Sequence, residues 1–228
     1  MQTIKQALIV VVAAAALFLL VSRPPVAYAE DISCTGTLGA ITVDNVIVPA
    51  NQTCTLNGTR VEGNVEVKDN ATLHAVGARI DGNVQAGNAA GVNVSANATV
   101  GGSIQIVQGG AAAIDSVAVN GDIQFESNSQ ALSATNNTVG GNIQAFQNTG
   151  GVHIAGNMID GDLQCKGNAP PPTGGNNIVE GSAEDQCANL QGTPPTPTPA
   201  PTPTPTPTSQ PTPIPPNLPY KVYLPTVS

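Results

Sequence analysis

One short motif recurs along this chain at a nearly constant spacing. An aliphatic residue is followed two positions later by glycine and two positions after that by a second aliphatic residue. The copies lie at Val61–Val65, Ile80–Val84, Val100–Ile104, Val119–Ile123, Val139–Ile143, Ile159–Leu163 and, in a weaker form without the second aliphatic, Val179–Ser182. Their glycines are separated by 19, 20, 19, 20, 20 and 20 residues. A fixed period of this length is typical of a solenoid, in which each repeat packs only against its neighbours.

Apolar and polar residues alternate within each repeat. Val152 and Ile154 flank His153, for example, and Ile143 and Ala145 flank Gln144. Such alternation over three to five residues predicts short strands, with about three in each repeat, separated by Gly, Asn and Ser that favour turns. Three strands in 19–20 residues predict an all-β, single-stranded parallel β-helix with three sides and about seven to eight coils.

Aligning the repeats predicts which residues stack in columns. Three inward columns are Val65, Val84, Ile104, Ile123, Ile143, Leu163; Val67, Ala86, Ile106, Phe125, Ala145, Cys165; and Val61, Ile80, Val100, Val119, Val139, Ile159, Val179. An outward column contains Glu66, Gln85, Gln105, Gln124, Gln144, Gln164. Two corner columns contain Asn64, Asn83, Ser103, Asp122, Asn142, Asp162, and Asn137, Asn157, Asn177. Stacked amides of this kind are expected to hydrogen-bond along the axis.

The first 29 residues have the features of a secretory signal peptide. Lys5 precedes the uncharged apolar run Ala7–Val21, and Ala27–Ala29 forms a small-x-small cleavage site, so we expect the mature chain to begin at Glu30. An uncleaved anchor is the alternative, although a span needs about 20 apolar residues. Acylation of Cys34 is disfavoured because the position three residues before it is not apolar.

The remaining chain divides into three segments. We expect residues 30–191 to form the β-helix, residues 192–219 an extended Pro/Thr-rich stalk, and residues 220–228 a short C-terminal tail. A polyproline II stalk of this length would reach ~85 Å. The net charge is -8, and loss of the basic Lys5 and Arg23 makes the mature chain still more acidic. Nucleic acids and anionic membranes are therefore not expected partners, and no integral membrane span is expected after cleavage.

Four cysteines in an exported chain predict disulfides. Cys34 and Cys54 are 20 residues apart, and Cys165 and Cys187 are 22 apart, which is about one coil in each case. Stacked residues lie near 4.8 Å, within the Cα–Cα range that a disulfide accepts. We therefore predict the pairs Cys34–Cys54 and Cys165–Cys187, one at each end. Zinc binding by the four thiolates is disfavoured because no Cys-x-x-Cys spacing occurs.

The Val-x-Gly-Asn-Val coil of 19–20 residues, over about residues 40–185, resembles the bactofilin repeat, a polymer-forming bacterial β-helix. The resemblance implies a right-handed helix with a capacity to polymerise end to end. The chain departs from that family in its signal peptide, its terminal cysteines and its Pro/Thr tract. The tract and the Tyr220–Pro225 sequence after it resemble the tail ends of some exported bacterial surface proteins.

No catalytic, cofactor-binding or metal-ligating set is predicted. His74 and His153 lie several coils apart, and His153 is expected to face solvent. Arg60 and Arg79 have acidic neighbours, Glu62 and Asp81, and this group is expected to form surface ion pairs. Acidic residues recur beside the corner glycines. Calcium binding by two of them, Asp160 and Asp162, is an alternative to the absence of a metal site, although the Gly-Gly-x-Gly-x-Asp pattern of calcium β-rolls is missing.

These features predict a non-catalytic module that is secreted or held at the cell surface. The expected function is a structural or adhesive one in the cell envelope, with an envelope polymer or a second copy as the partner. The alternative is a carbohydrate-binding or polysaccharide-degrading β-helix protein. A basic residue paired with carboxylates on one flat face would favour the alternative.

Overall fold

A computed structural model describes residues 31–192 of the chain. The predicted signal peptide, the stalk beyond residue 192 and the tail lie outside the described residues. Residues 31–192 form an all-β parallel solenoid with three sheets, and this part contains no helix. About seven full turns follow a shortened N-terminal turn, so the predicted fold class is confirmed.

The strands are short, two to five residues each. In chain order they are β1 (Ile32–Ser33), β2 (Thr37–Leu38), β3 (Thr42–Val43), β4 (Val46–Val48), β5 (Thr53–Asn57), β6 (Arg60–Val61), β7 (Val65–Val67), β8 (Thr72–Val76), β9 (Arg79–Ile80), β10 (Val84–Gly87), β11 (Gly91–Ser95) and β12 (Thr99–Val100). They continue as β13 (Ile104–Val107), β14 (Ala111–Asp115), β15 (Ala118–Val119), β16 (Ile123–Glu126), β17 (Leu132–Thr135), β18 (Thr138–Val139), β19 (Ile143–Phe146), β20 (Val152–Ala155), β21 (Met158–Ile159), β22 (Leu163–Lys166), β23 (Thr173–Gly175), β24 (Ile178–Val179) and β25 (Ala183–Asp185).

Each strand pairs with the equivalent strand of a neighbouring coil. The first sheet has the order β1-β4-β7-β10-β13-β16-β19-β22-β25, the second β2-β5-β8-β11-β14-β17-β20-β23, and the third β3-β6-β9-β12-β15-β18-β21-β24. The pairing is parallel and in register, so Val84 lies beside Ile104 and Gln85 beside Gln105. The strand residues predicted to stack in columns are therefore partners in adjacent coils, which confirms the predicted register.

The interior of the triangle is filled by the three inward columns. Their members from Val61 to Val179 are buried, and Ile104, Ile123, Ile143 and Leu163 have no exposed surface. Phe125 is the largest fully buried side chain, and it stacks on Ala145 in the next coil. The small alanine beside it leaves space for the ring, since protein interiors are close-packed.

At two corners of the solenoid the buried residue differs between the N-terminal (lower) coils and the C-terminal (upper) coils. The lower coils bury alanines, Ala71 and Ala89 at one corner and Ala78 and Ala98 at the other, whereas the upper coils bury asparagines. These asparagines form two ladders: Asn128, Asn148, Asn168, and Asn137, Asn157, Asn177. In each ladder one Oδ1 accepts hydrogen bonds from the backbone N–H and the Nδ2 of the asparagine one coil below. Within residues 31–192 no buried side-chain nitrogen or oxygen lacks a partner.

The recurring glycine marks a third corner, where successive coils approach closely. A Cβ at Gly161 would lie 2.4 Å from Asn142 Oδ1 and 2.7 Å from the carbonyl oxygen of Gly141. At this corner the acceptor of each coil receives the backbone N–H of the next, as in Asp162 N to Asn142 Oδ1 at 2.8 Å. Because any short side chain with an acceptor oxygen can do this, Ser103 and Asp122 replace asparagine in the column.

Each end of the solenoid carries a disulfide, and the C-terminal end has further hydrogen bonds. Cys34 bonds Cys54 with a Cα–Cα distance of 5.5 Å, and Cys165 bonds Cys187 with a Cα–Cα distance of 5.3 Å. Both predicted pairings are present. At the C-terminal end Gln186 and the Leu190 carbonyl also accept hydrogen bonds from the last members of the two buried ladders, Asn168 and Asn177.

Replacing Cys34 and Cys54 with serine is expected to loosen the N-terminal coils and leave the C-terminal coils unchanged. A loop of about this length contributes ~3 kcal/mol in the chain-entropy account of disulfides. Hydrogen exchange should show faster exchange in β5 and slow exchange in β19 and β22. The matched control replaces Cys165 and Cys187 with serine, and it should reverse that pattern. Uniform loss of protection in both variants would contradict independent closure of the ends.

Candidate functional site: an axial groove on the second sheet

The second sheet carries a groove on its outer face that runs parallel to the solenoid axis. Two outward columns form it. The first contains Thr72, Gly91, Ala111, Ala131 and Gly151 and is nearly without side chains. The second contains His74, Asn93, Ala113, Ser133 and His153 and forms a polar rim. We call this feature the axial groove.

The groove exists because glycine and alanine replace larger residues at one position of each coil. The inward residues Val92, Ala112 and Leu132 then line the floor from below, each with 2–5% of its surface exposed. The main part has a volume of about 470 Å³. A second hollow of about 210 Å³ shares Leu132 and His153 with it and ends at a wall formed by Pro170 and Pro171.

His74 and His153 stand on the same column, four coils apart, in the rim of the axial groove. The exposed His153 has its Nδ1 3.2 Å from the Thr173 hydroxyl. Sequence reasoning treated the two histidines separately. Their spacing equals one step of 19 and three steps of 20 residues, so the repeat period already contained this relation.

The charged residues that the sequence singled out form surface pairs away from the groove lining. Arg60 lies 2.9 Å from Asp81 and 3.6 Å from Glu62, and Arg79 lies 2.8 Å from Asp81. Roughly half of the Arg60 side chain is exposed, so these pairs contribute little to stability.

Asp160 and Asp162, the residues of the alternative calcium site, differ in exposure and in hydrogen bonding. Asp160 is exposed, and Asp162 accepts the backbone N–H of Ser182 at 2.8 Å as part of the corner column. Across residues 31–192 no group of three or more His, Cys, Asp or Glu side chains is placed to hold a metal ion.

Asp115 lies on the same face of β14 as Ala111 and Ala113, two residues beyond the rim of the groove. The Thr135 hydroxyl donates to its Oδ1 at 2.5 Å, and Asn136 Nδ2 and the Ser116 hydroxyl donate at 3.2 Å each. The bond from Thr135, more than those from Asn136 and Ser116, lowers the pKa of Asp115 below its ordinary value, against a smaller opposing effect of burial.

Replacing Thr135 with valine is therefore expected to raise the pKa of Asp115 toward its ordinary value. A depressed carboxyl pKa stabilises the fold above the unfolded-state pKa, and this contribution is lost as pH falls through the folded-state pKa. NMR titration of the Asp115 carboxyl carbon measures the shift directly. Ser133→Ala, two residues earlier in β17, is the control that should leave the pKa in place. An unchanged titration in the valine variant would show that the hydroxyl has no such role.

The first sheet presents a different outer face, formed by the predicted glutamine column. Gln144 Nε2 donates to Gln164 Oε1 at 2.9 Å, and Gln164 Nε2 donates to Glu184 Oε2 at 3.2 Å. Gln85 and Gln105 are joined more loosely, at 3.5 Å. Two pairs of amides therefore bond to each other along this face, Gln85 with Gln105 and Gln144 with Gln164.

Comparison of the chain with protein-family models, with curated proteins and with solved structures finds no match. Within residues 31–192 there is no helix of the length and apolar character that a membrane crossing requires.

Proposed function

We propose that this chain is an exported structural or adhesive module of the cell envelope or cell surface, without catalytic activity. The observation that carries the proposal is the pair of terminal disulfides on a uniform β-solenoid. Structural disulfides persist in oxidising compartments outside the cytoplasm, so they support export together with the signal-like sequence of residues 1–29.

A passive role is supported by how the polar groups of the shaft are used. The Asn ladders and the corner acceptors bond to neighbouring coils and so serve to hold the solenoid together. The groove lining offers imidazole, amide and hydroxyl groups, whereas most glycoside hydrolases act through a pair of carboxylates. The bactofilin-like repeat adds self-association as a candidate property of the module.

Fractionation of the cells that produce the chain tests this proposal. An antibody against the folded domain should detect it in the envelope or the medium and not in the cytoplasm. The purified chain should also leave pectin-like and other polysaccharides intact. A cytoplasmic location, or turnover of any of these polymers, would overturn the proposal.

The second candidate function, a carbohydrate-binding β-helix, is favoured by one specific observation. The axial groove joins an apolar floor to a polar rim, and its lining contains no Asp, Glu, Lys or Arg over several coils. Carbohydrate binding without hydrolysis is compatible with an adhesive module, because adhesion requires a ligand.

A further inference from the structure

We propose that the axial groove binds a single strand of an uncharged polysaccharide, laid parallel to the solenoid axis. The proposal rests on the adhesive function proposed above and names the class of ligand. It is argued from the shape of the groove, the chemistry of its lining and the distribution of charge on the chain.

The shape selects a long and narrow ligand. From the coil of Thr72 to the coil of Thr173 the groove crosses five steps of about 4.8 Å, or ~24 Å in total. Its width is that of one residue column and the rim beside it, ~7 Å, so the footprint is on the order of 170 Å². A standard protein interface covers about 800 Å² on each partner. The groove is therefore too small for a folded partner and fits one polymer strand.

The lining selects a ligand that is apolar on its flat faces and polar at its edges. The floor is mostly the outward Gly91, Ala111 and Ala131, with small exposed parts of the inward Val92, Ala112 and Leu132 between them. Asn93 and Ser133 stand in the rim between the two histidines. Amide, hydroxyl and imidazole groups both donate and accept hydrogen bonds, as sugar hydroxyls do. The C–H faces of pyranose rings can lie on the floor while their hydroxyls meet the rim, with about one ring per coil of ~4.8 Å.

The charge distribution selects an uncharged strand. The groove lining contains no Asp, Glu, Lys or Arg, although the chain carries a net charge of -8. Asp115, beyond the rim, and the acidic character of the chain both repel an anionic polymer. A cationic polymer needs several carboxylates as partners. Beside the groove only Asp115 has been placed, and Glu126 and Asp160 lie on other faces and corners.

A peptide strand fits less well. Strands β8, β11, β14 and β17 beneath the groove are paired on both sides, so no free strand edge is present there for strand addition. Proline-rich peptides bind grooves lined by aromatic side chains, and the lining here has no Phe, Tyr or Trp. A flexible peptide also loses about 1–2 kcal/mol per ordered residue, which a stiff polysaccharide largely avoids.

Affinity electrophoresis of the purified full chain tests the proposal. Gels contain a neutral polysaccharide (xylan, mixed-linkage glucan or mannan) or the anionic polygalacturonate. We expect retardation by at least one neutral polymer and none by polygalacturonate. Ala111→Lys places a long charged side chain in the groove and should weaken the binding about tenfold, a loss of ~1.4 kcal/mol. Ala118→Lys, an exposed alanine on the third sheet, is the matched control and should bind as the wild type does.

A second variant covers the case in which Ala111→Lys does not fold. His153→Ala removes an exposed rim side chain without touching the core and should also weaken binding. Failure of all three neutral polymers to bind, equal weakening by the Ala118 control, or binding of polygalacturonate in their place would overturn the proposal. Surface location without binding would reject this proposal alone, whereas a cytoplasmic location would reject the proposed function.

Discussion

Replacing Asn148 with alanine is expected to destabilise the solenoid by about 4 kcal/mol. Its side chain makes four hydrogen bonds to buried groups, and a buried polar group that is left unsatisfied costs about 1–3 kcal/mol. Asn148 Oδ1 accepts from the backbone N–H and Nδ2 of Asn128 at 2.9 and 3.0 Å. Its Nδ2 donates to the Phe125 carbonyl at 3.0 Å and to Asn168 Oδ1 at 2.9 Å. Both asparagines are fully buried, so the groups left without partners lie away from bulk water. Thermal unfolding should show a midpoint lower by roughly 8–16 °C for a domain of this size.

Asn120→Ala is the matched control for this change, because Asn120 is exposed at a corner. It should change the free energy of unfolding by no more than about 0.5 kcal/mol, as is usual for surface sites, and leave the midpoint nearly unchanged. Asn148→Asp is a further comparison, since it keeps the acceptor but removes the Nδ2 donor and buries a carboxyl group. A midpoint for Asn148→Ala equal to that of the control would mean that the ladder contributes nothing to stability.

Replacing Gly161 with alanine is expected to cost about 3 kcal/mol, the upper part of the range for overpacking. The added methyl group would lie 2.4 Å from Asn142 Oδ1 and 2.7 Å from the Gly141 carbonyl oxygen. Relief of this contact requires the two coils to separate, which also lengthens the hydrogen bond from Asp162 N to Asn142 Oδ1. Urea unfolding should show a lower midpoint with little change in slope, as expected for a stability change alone.

Gly87→Ala provides the control, because a Cβ at Gly87 has no atom within 4 Å. That variant should be neutral or slightly more stable, since alanine restricts the unfolded chain. If both glycine variants lost stability equally, backbone flexibility and not close coil contact would explain the recurring glycine.

The repeat period alone was sufficient to predict the fold. Because each coil lies on the previous one in register, a residue and its partner differ by a constant number, and Val84 beside Ile104 follows directly. The same rule predicted both disulfides from their separations of 20 and 22 residues. Parallel stacking leaves few alternatives once three short strands recur in every repeat.

Alignment of the repeats predicts the column Asn137, Asn157 and Asn177 but not the buried ladder at Asn128, Asn148 and Asn168. Asparagine at a corner is expected to face solvent, because turn residues are polar and exposed. Burial follows instead from the inward turn of these side chains, with Nδ2 bonded to carbonyls such as Phe125 O and Ala145 O. Their 20-residue recurrence was the available signal.

The axial groove could not be predicted from individual residues. Gly91, Ala111 and Ala131 are common turn or filler residues when taken alone, and each becomes informative only when its neighbours above and below are also small. A groove is a property of a column, so it requires the register that the structure supplies.

The in-register coils also determine how such a protein can change over time. Every coil offers the same hydrogen-bonding edge above and below. A segment of 19 or 20 residues can therefore be gained by duplication or lost by deletion without disturbing the pairing of the other coils. Each event would alter the height of the rod by one increment of ~4.8 Å. Gain or loss of a single residue within a strand would instead turn aliphatic side chains outward. Height is therefore the dimension that evolution can adjust most readily in this architecture.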